Sequence, residues 1–162
     1  MTQVKKKILV VTGAFPLASE TFVREQCVGL LEQGAEIDVL ALRPGDGSWS
    51  DRDQAVGLPG CVLQANIDRP LLSRLALAPM RFLSLCLASP LAACRSISPP
   101  LGWRATSGQL LEISRAMGSS CRRYDAIHCE FGPMGRIMLP VLDLSGTARV
   151  TTGPNRYHYK AQ

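Results

Sequence analysis

Residues 8–42 carry one continuous pattern: an apolar run, a short polar turn, an amphipathic stretch closed by glycine, and a second apolar run. Ile8-Leu-Val-Val-Thr12 is unbroken and rich in β-branched residues, as expected of a strand buried on both faces of a parallel sheet. Gly13-Ala-Phe-Pro-Leu-Ala-Ser-Glu20 reads as the turn. Ser19 is the expected N-cap of a helix, and Glu20 falls in its positive first turn. Phe22, Val23, Cys27, Leu30 and Leu31 lie near one helical face, and Gly34 ends the helix. Residues 37–42 are the second strand. Strand, helix and strand in that order predict a parallel β-α-β unit with a right-handed crossover.

The rest of the chain continues the alternation. Residues 43–60 are rich in Gly, Asp, Ser and Pro and read as a loop, with a short strand near residues 61–63. Residues 71–95 are apolar with interspersed arginines, and Pro79 and Pro90 divide them into two helices. Arg74 and Arg81 would lie at bilayer depth in a membrane span, so packing on the sheet is one reading. An interfacial helix on an anionic membrane, with Arg74 and Arg81 facing the lipid, is the other. Residues 98–102 are a break, 110–117 a helix, 126–129 a strand, 134–142 a helix interrupted by Pro140, and 148–152 a last strand. The expected fold is α/β, a Rossmann-like doubly wound parallel sheet.

At 162 residues the chain suits one domain with a real core. Its net charge of +5 favours anionic partners, among them phosphorylated sugars and acidic lipid surfaces. Nucleic acid is not expected as a partner, because aromatics are few and neither a zinc-finger spacing nor an arginine block is present. The six cysteines form no Cys-x-x-Cys pair, and several lie in apolar runs. They read as reduced thiols of a cytoplasmic protein. Lys5-Lys6-Lys7 precedes too short an apolar run for a signal peptide.

Common ligand motifs are missing. The Gly13 turn has Phe15 and Ala18 where a dinucleotide fingerprint needs glycines, no Walker Lys-Ser pair follows, and Gly-x-Ser-x-Gly does not occur. With two histidines and no paired cysteines, no metal is expected. Two polar groupings remain. Ser19, Glu20 and Thr21 crowd hydroxyl and carboxylate groups at a helix N-terminus, where they either bind sugar hydroxyls or simply cap the helix. His128 and Glu130 share one face at a strand's carboxyl end, where they form an acid–base or hydroxyl-binding pair unless the histidine is merely a core or loop residue. Gly132 and Gly135 permit a ligand's close approach or a tight turn before a helix.

The run Lys7-Ile-Leu-Val-Val-Thr-Gly-Ala-Phe-Pro-Leu-Ala-Ser-Glu-Thr-Phe-Val-Arg-Glu-Gln26 resembles the start of bacterial exopolysaccharide glycosyltransferases of the colanic-acid and amylovoran type. These are family-four retaining enzymes with two facing Rossmann-like domains, the GT-B architecture. Phe-Pro-x-x-Ser-Glu-Thr-Phe is matched at Phe15–Phe22, and Asp-x-Ile-His-x-x-Phe-Gly at Asp125–Gly132.

The resemblance implies that residues 1–152 are the acceptor-side domain, with Gly13, Phe15, Ser19, Glu20, His128, Glu130 and Gly132 facing the cleft. It further implies a lipid-linked saccharide acceptor, a nucleotide-sugar donor bound by a carboxy-terminal domain, no metal, and a cytoplasmic or inner-membrane-peripheral location. Many relatives have histidine where this chain has Glu130. After residues 149–152 the family continues into a Phe-His-Gly-Tyr-Asp-like segment, whereas residues 153–162 read Gly-Pro-Asn-Arg-Tyr-His-Tyr-Lys-Ala-Gln, an atypical tail expected of a truncated or frameshifted frame. Without the donor domain the chain alone is expected to be inactive. The alternative is a non-catalytic membrane-surface or partner-binding module. No catalytic residue is assigned.

Overall fold

The computed structural model describes residues 6–88, 90, 93–94, 97, 108–117, 124–135, 137–138 and 150–152. The expected break at 98–102, Cys121, Pro140 and the tail at 153–162 lie outside the described residues. Five strands are described: β1 (Lys7–Phe15), β2 (Glu36–Pro44), β3 (Val62–Gln64), β4 (Ala126–Cys129) and β5 (Val150–Thr152). They form one sheet in the order β3-β2-β1-β4-β5, and every described pairing is parallel. The helices are α1 (Thr21–Glu32), α2 (Asp51–Ala55), α3 (Leu71–Ala88) and α4 (Gln109–Met117); positions 132–135 and 137–138 are also helical.

The core divides by strand alternation. Leu9 and Val11 of β1, with Leu40 and Leu42 of β2, face Leu110, Ile113 and Met117 of α4. Val10 of β1, with Val39 and Ala41 of β2, faces Val23, Cys27 and Val28 of α1, and Phe15 at the end of β1 joins this side out of alternation. Helices thus cover both sheet faces, and this accounts for strands that are apolar at nearly every position. The sheet is a Rossmann-like α/β arrangement.

One end of the sheet is pinned by polar contacts. The Lys7 amide donates to Asp125 Oδ2 at 2.7 Å, and the Asp125 amide donates to the Lys7 carbonyl at 2.8 Å. Tyr124 donates its hydroxyl to Asp38 at 2.6 Å, and Lys7 Nζ lies 3.1 Å from the same carboxylate. These contacts align β4 with β1 and β2. The aspartate of the second sequence motif therefore sets strand register and lies away from the carboxyl edge.

Helix α1 stops as its sequence predicts, with Gly34 at a φ of +79°. The Gly34 amide donates to the Leu31 carbonyl and the Ala35 amide to the Leu30 carbonyl, the paired bonds of a Schellman motif. The other end differs from expectation. Glu20 occupies the cap position, neither it nor Ser19 caps with its side chain, and Ser19 is exposed. Phe22 is 49% exposed and does not join the buried stripe.

Three further expectations are corrected. Gly13 does not begin the turn, because β1 continues along β2 until Phe15 lies opposite Pro44. The segment 43–60 is more ordered than its composition suggests. Ser50 and Asp53 form a capping box that starts α2, and Arg52 ties that helix to Glu25 and Glu32 of α1 at 2.8–3.0 Å. A 3-10 turn at Leu58–Cys61 then leads into β3, one residue later than expected.

Finally, α3 runs through Pro79 without ending. Pro79 and Leu75, whose carbonyl loses its donor, are both exposed, so water can satisfy the orphan group. The arginines of this helix turn inward: Arg74 is buried and Arg81 pairs with Glu112 of α4. This departs from the lipid-facing placement expected of them.

Gly34→Ala places a Cβ on a left-handed residue. It should lower stability by about 1 kcal/mol, seen as a lower urea midpoint with an unchanged slope.

Candidate functional site

In an open parallel sheet, ligands bind beyond the carboxyl ends of the strands, where successive connections leave in opposite directions. The strand order puts that switch point between β1 and β4. Their pairing ends at Val11 opposite Cys129, and the Glu130 amide then donates to the Val11 carbonyl at 3.0 Å. Beyond it β1 continues beside β2 alone, so the edge of β1 that faced β4 is open from Thr12 onward. A Cβ placed on Gly13 would meet nothing within 4 Å, and the same holds at Gly132. Both glycines border open space at this edge.

Above the edge stands the N-terminus of α1. The Val23 amide donates to the Glu20 carbonyl at 3.2 Å, and with no side-chain cap the Thr21 and Phe22 amides are left to an outside acceptor. The two sequence motifs meet here, for the Phe22 and Phe131 rings pack edge to face with centroids 6.2 Å apart. Serine and glutamate at the start of α1 are thereby held beside the segment that follows β4.

The His128–Glu130 pair occurs as expected, His128 Nε2 lying 3.4 Å from Glu130 Oε1. Glu130 is only 1% exposed, and Oε1 accepts no hydrogen bond. Burial, and secondarily the nearby Glu20, raises the Glu130 carboxyl above its usual range. Burial also lowers the His128 imidazole below its usual value. Both shifts run towards the neutral forms, which weakens any ion pair between the two groups. Cys27 and Cys129 have thiols pushed up to about 12, first by burial and then by Glu130. Such thiols are inert and serve as packing.

Phe15 does not line this edge with its side chain. It is 1% exposed and packs against Trp49 with ring centroids 5.7 Å apart. Its part is to anchor the turn.

Sequence reasoning missed what holds that turn from the β2 side. The Gly45 amide donates to the Phe15 carbonyl at 3.2 Å, and the Gly47 amide to the Pro16 carbonyl at 2.9 Å. A Cβ on Gly45 would fall 1.8 Å from the Pro16 carbonyl oxygen, so only glycine fits. The signal lay in Gly45-Asp-Gly47, which read merely as loop composition.

A separate hollow of about 230 Å³, lined by Arg43, Pro44, Asn66, Asp68 and Arg69, lies past the ends of β2 and β3. It is distinct from the β1/β4 edge. Among the described residues, no three His, Cys, Asp or Glu side chains converge to hold a metal. No described helix is long and apolar enough to cross a membrane. Compared with known proteins, the chain matches no family model, and no curated protein or solved structure matches it.

The Glu130 shift fixes the sign of a stability effect. The folded chain keeps this proton to higher pH than the unfolded chain, so stability falls as pH rises from the ordinary glutamate range through the folded value. Glu130→Gln should therefore raise the thermal midpoint by a few degrees at about pH 8, with the gain fading towards about pH 4. Thermal melts of both proteins across that range check this.

Proposed function

We propose that this chain is the acceptor-side half of a retaining GT-B glycosyltransferase, one that extends a lipid-linked saccharide from a nucleotide-sugar donor. The observation that carries the reading is the meeting of the two resemblance motifs at the β1/β4 switch point, through Phe22 and Phe131. A family likeness read from two distant stretches gains weight when both fall on one ligand-competent edge.

In this reading Glu20, His128 and Glu130 hydrogen-bond acceptor hydroxyls, and Gly13 and Gly132 leave room for the sugar ring. An imidazole beside a carboxyl group offers both a donor and an acceptor, which suits a hydroxyl that must do both. Glu130, where many relatives have histidine, keeps a protonatable group at that position. In the same reading the activated sugar is held by a second Rossmann-like domain facing this edge.

The test is calorimetric titration of the chain with short hexose oligosaccharides. Binding in the millimolar range is expected. Glu20→Ala and His128→Ala should each weaken it about tenfold, the effect of losing one buried hydrogen bond. Gly13→Leu should abolish it while leaving the melting temperature nearly unchanged, because its side chain enters open space. Titrations unaffected by all three substitutions would sink the proposal.

A further inference from the structure

Past the carboxyl ends of β2 and β3, the hollow of about 230 Å³ carries an arginine on each of the two segments that form it. Its frame is made by backbone bonds. The Ala65 amide donates to the Ala41 carbonyl and the Ile67 amide to the Leu42 carbonyl, both at 3.0 Å. The chain therefore stays alongside β2 after β3 has ended. Between these two bonds Asn66 takes a left-handed φ of +50°. The Arg69 amide then donates to the Asn66 carbonyl at 3.4 Å, which closes a turn. Arg43 thus enters the lining from β2, and Asn66, Asp68 and Arg69 enter it from the turn.

The charge around this hollow is not balanced. Arg43 Nε lies 3.1 Å from Asp68 Oδ2, but both side chains are more than half exposed, and an ion pair so placed holds weakly. Arg69 pairs with no carboxylate among the described residues. Arg81 and Arg115 share a single carboxylate, that of Glu112. Burial first, and then Arg115 and Arg69, hold the Arg81 guanidinium below its usual value, so Arg69 lies within electrostatic reach of that group. Arg74, in the first turn of α3, is 7% exposed, and its Nε and Nη1 atoms have no hydrogen-bond partner. From the hollow to Glu112, five arginines therefore meet two carboxylates. The start of α3 at Leu71 adds the positive end of an 18-residue helix. An anion entering the hollow meets a positive potential that the protein itself leaves uncompensated.

We propose that the hollow binds the phosphoryl group of a small soluble phosphate monoester, held by Arg43 and Arg69. A phosphoryl group presents three strong acceptor oxygens and can take a guanidinium fork from each segment, whereas one fork fills a carboxylate. The Asn66 carboxamide supplies a further donor. Asp68 competes for Arg43 and limits the affinity. Pockets for drug-sized ligands begin at about 300 Å³. This hollow is smaller, so the organic remainder is compact, closer to glycerol than to a nucleoside. Pro44 and the arginine stems give it an apolar wall. The site is separate from the β1/β4 edge and stands independently of the saccharide reading, since a neutral oligosaccharide offers these arginines no charge.

The experiment is calorimetric titration of the 162-residue chain with glycerol phosphate at fixed ionic strength and about pH 7.5, where the monoester is mostly dianionic. Millimolar or tighter binding is expected. Arg43→Gln and Arg69→Gln should each weaken it about tenfold, the effect of losing a charge-assisted hydrogen bond. Arg69→Lys, which keeps the charge and loses the fork, should fall between. Asp68→Asn frees Arg43 and should strengthen binding about threefold. Lys6→Gln removes one positive charge at the amino end of the sheet and should change it by less than about twofold. These side chains are all exposed, so melts without ligand should nearly coincide. Dihexanoyl phosphatidic acid carries the same phosphoryl group on a lipid tail and should bind no tighter than glycerol phosphate. Binding that neither arginine-to-glutamine change weakens, that Lys6→Gln weakens as much, or that needs the lipid tail would overturn the proposal. So would no binding at glycerol phosphate concentrations up to about 20 mM.

Discussion

One backbone hydrogen bond, from the Glu130 amide to the Val11 carbonyl, decides where this sheet opens. It is the last tie between β1 and the chain leaving β4. On its other side β1 stays paired with β2 until Phe15 meets Pro44. The strand thus has one satisfied edge and one open edge for its final residues, and the crevice follows from that asymmetry. Everything placed there depends on it: the open space at Gly13 and Gly132, the uncapped start of α1, and the buried Glu130 carboxyl. The contacts of Lys7, Asp38, Tyr124 and Asp125 at the opposite end secure the register that puts the last bond at Val11.

Two features of the chain run against stability, and the first coincides with a proposed surface of use. A carboxyl group 1% exposed with one oxygen unpartnered costs free energy that a glutamine or an apolar residue there would cost less. A leucine stripe in water beside a row of inward arginines is likewise a poor arrangement for an isolated domain. Local departures from the best-packed solution concentrate at sites that meet something else. Here they fall on different elements, the β1/β4 edge and the outer face of α3. The β1/β4 edge is the one proposed above to meet a polar ligand.

Much of the scaffold was legible because strand period and helix period are strong local signals. The β1-α1-β2 unit, the stop at Gly34 and the strand at 126–129 follow from runs of Ile, Val and Leu and from one left-handed glycine. The helical stretch at 132–135 begins two residues before the expected start at 134, and the expected later part beyond 138 lies outside the described residues. Other features depend on partners remote in sequence. Nothing local tells that Phe15 turns onto Trp49, or that Gly45 must be small because Pro16 approaches it. Pro79 read as a helix break, but exposure of its face let the helix continue. Arg74 and Arg81 read as lipid-facing in one of the two expectations for this segment, and Glu112, 31 residues after Arg81, turns Arg81 inward instead. Of the site, the His128–Glu130 contact was legible from alternation alone. The direction of the two pKa shifts was not, because it comes from burial.

The most direct test of the central claim is an amide-resolved NMR titration of the chain with hexose oligosaccharides. Shifts confined to the backbone amides of Gly13, Thr21, Phe22, Phe131 and Gly132 are the predicted result, because these groups border the open edge of β1. Shifts centred instead on Arg43, Asn66 and Asp68, or none at ligand concentrations up to about 10 mM, would contradict it.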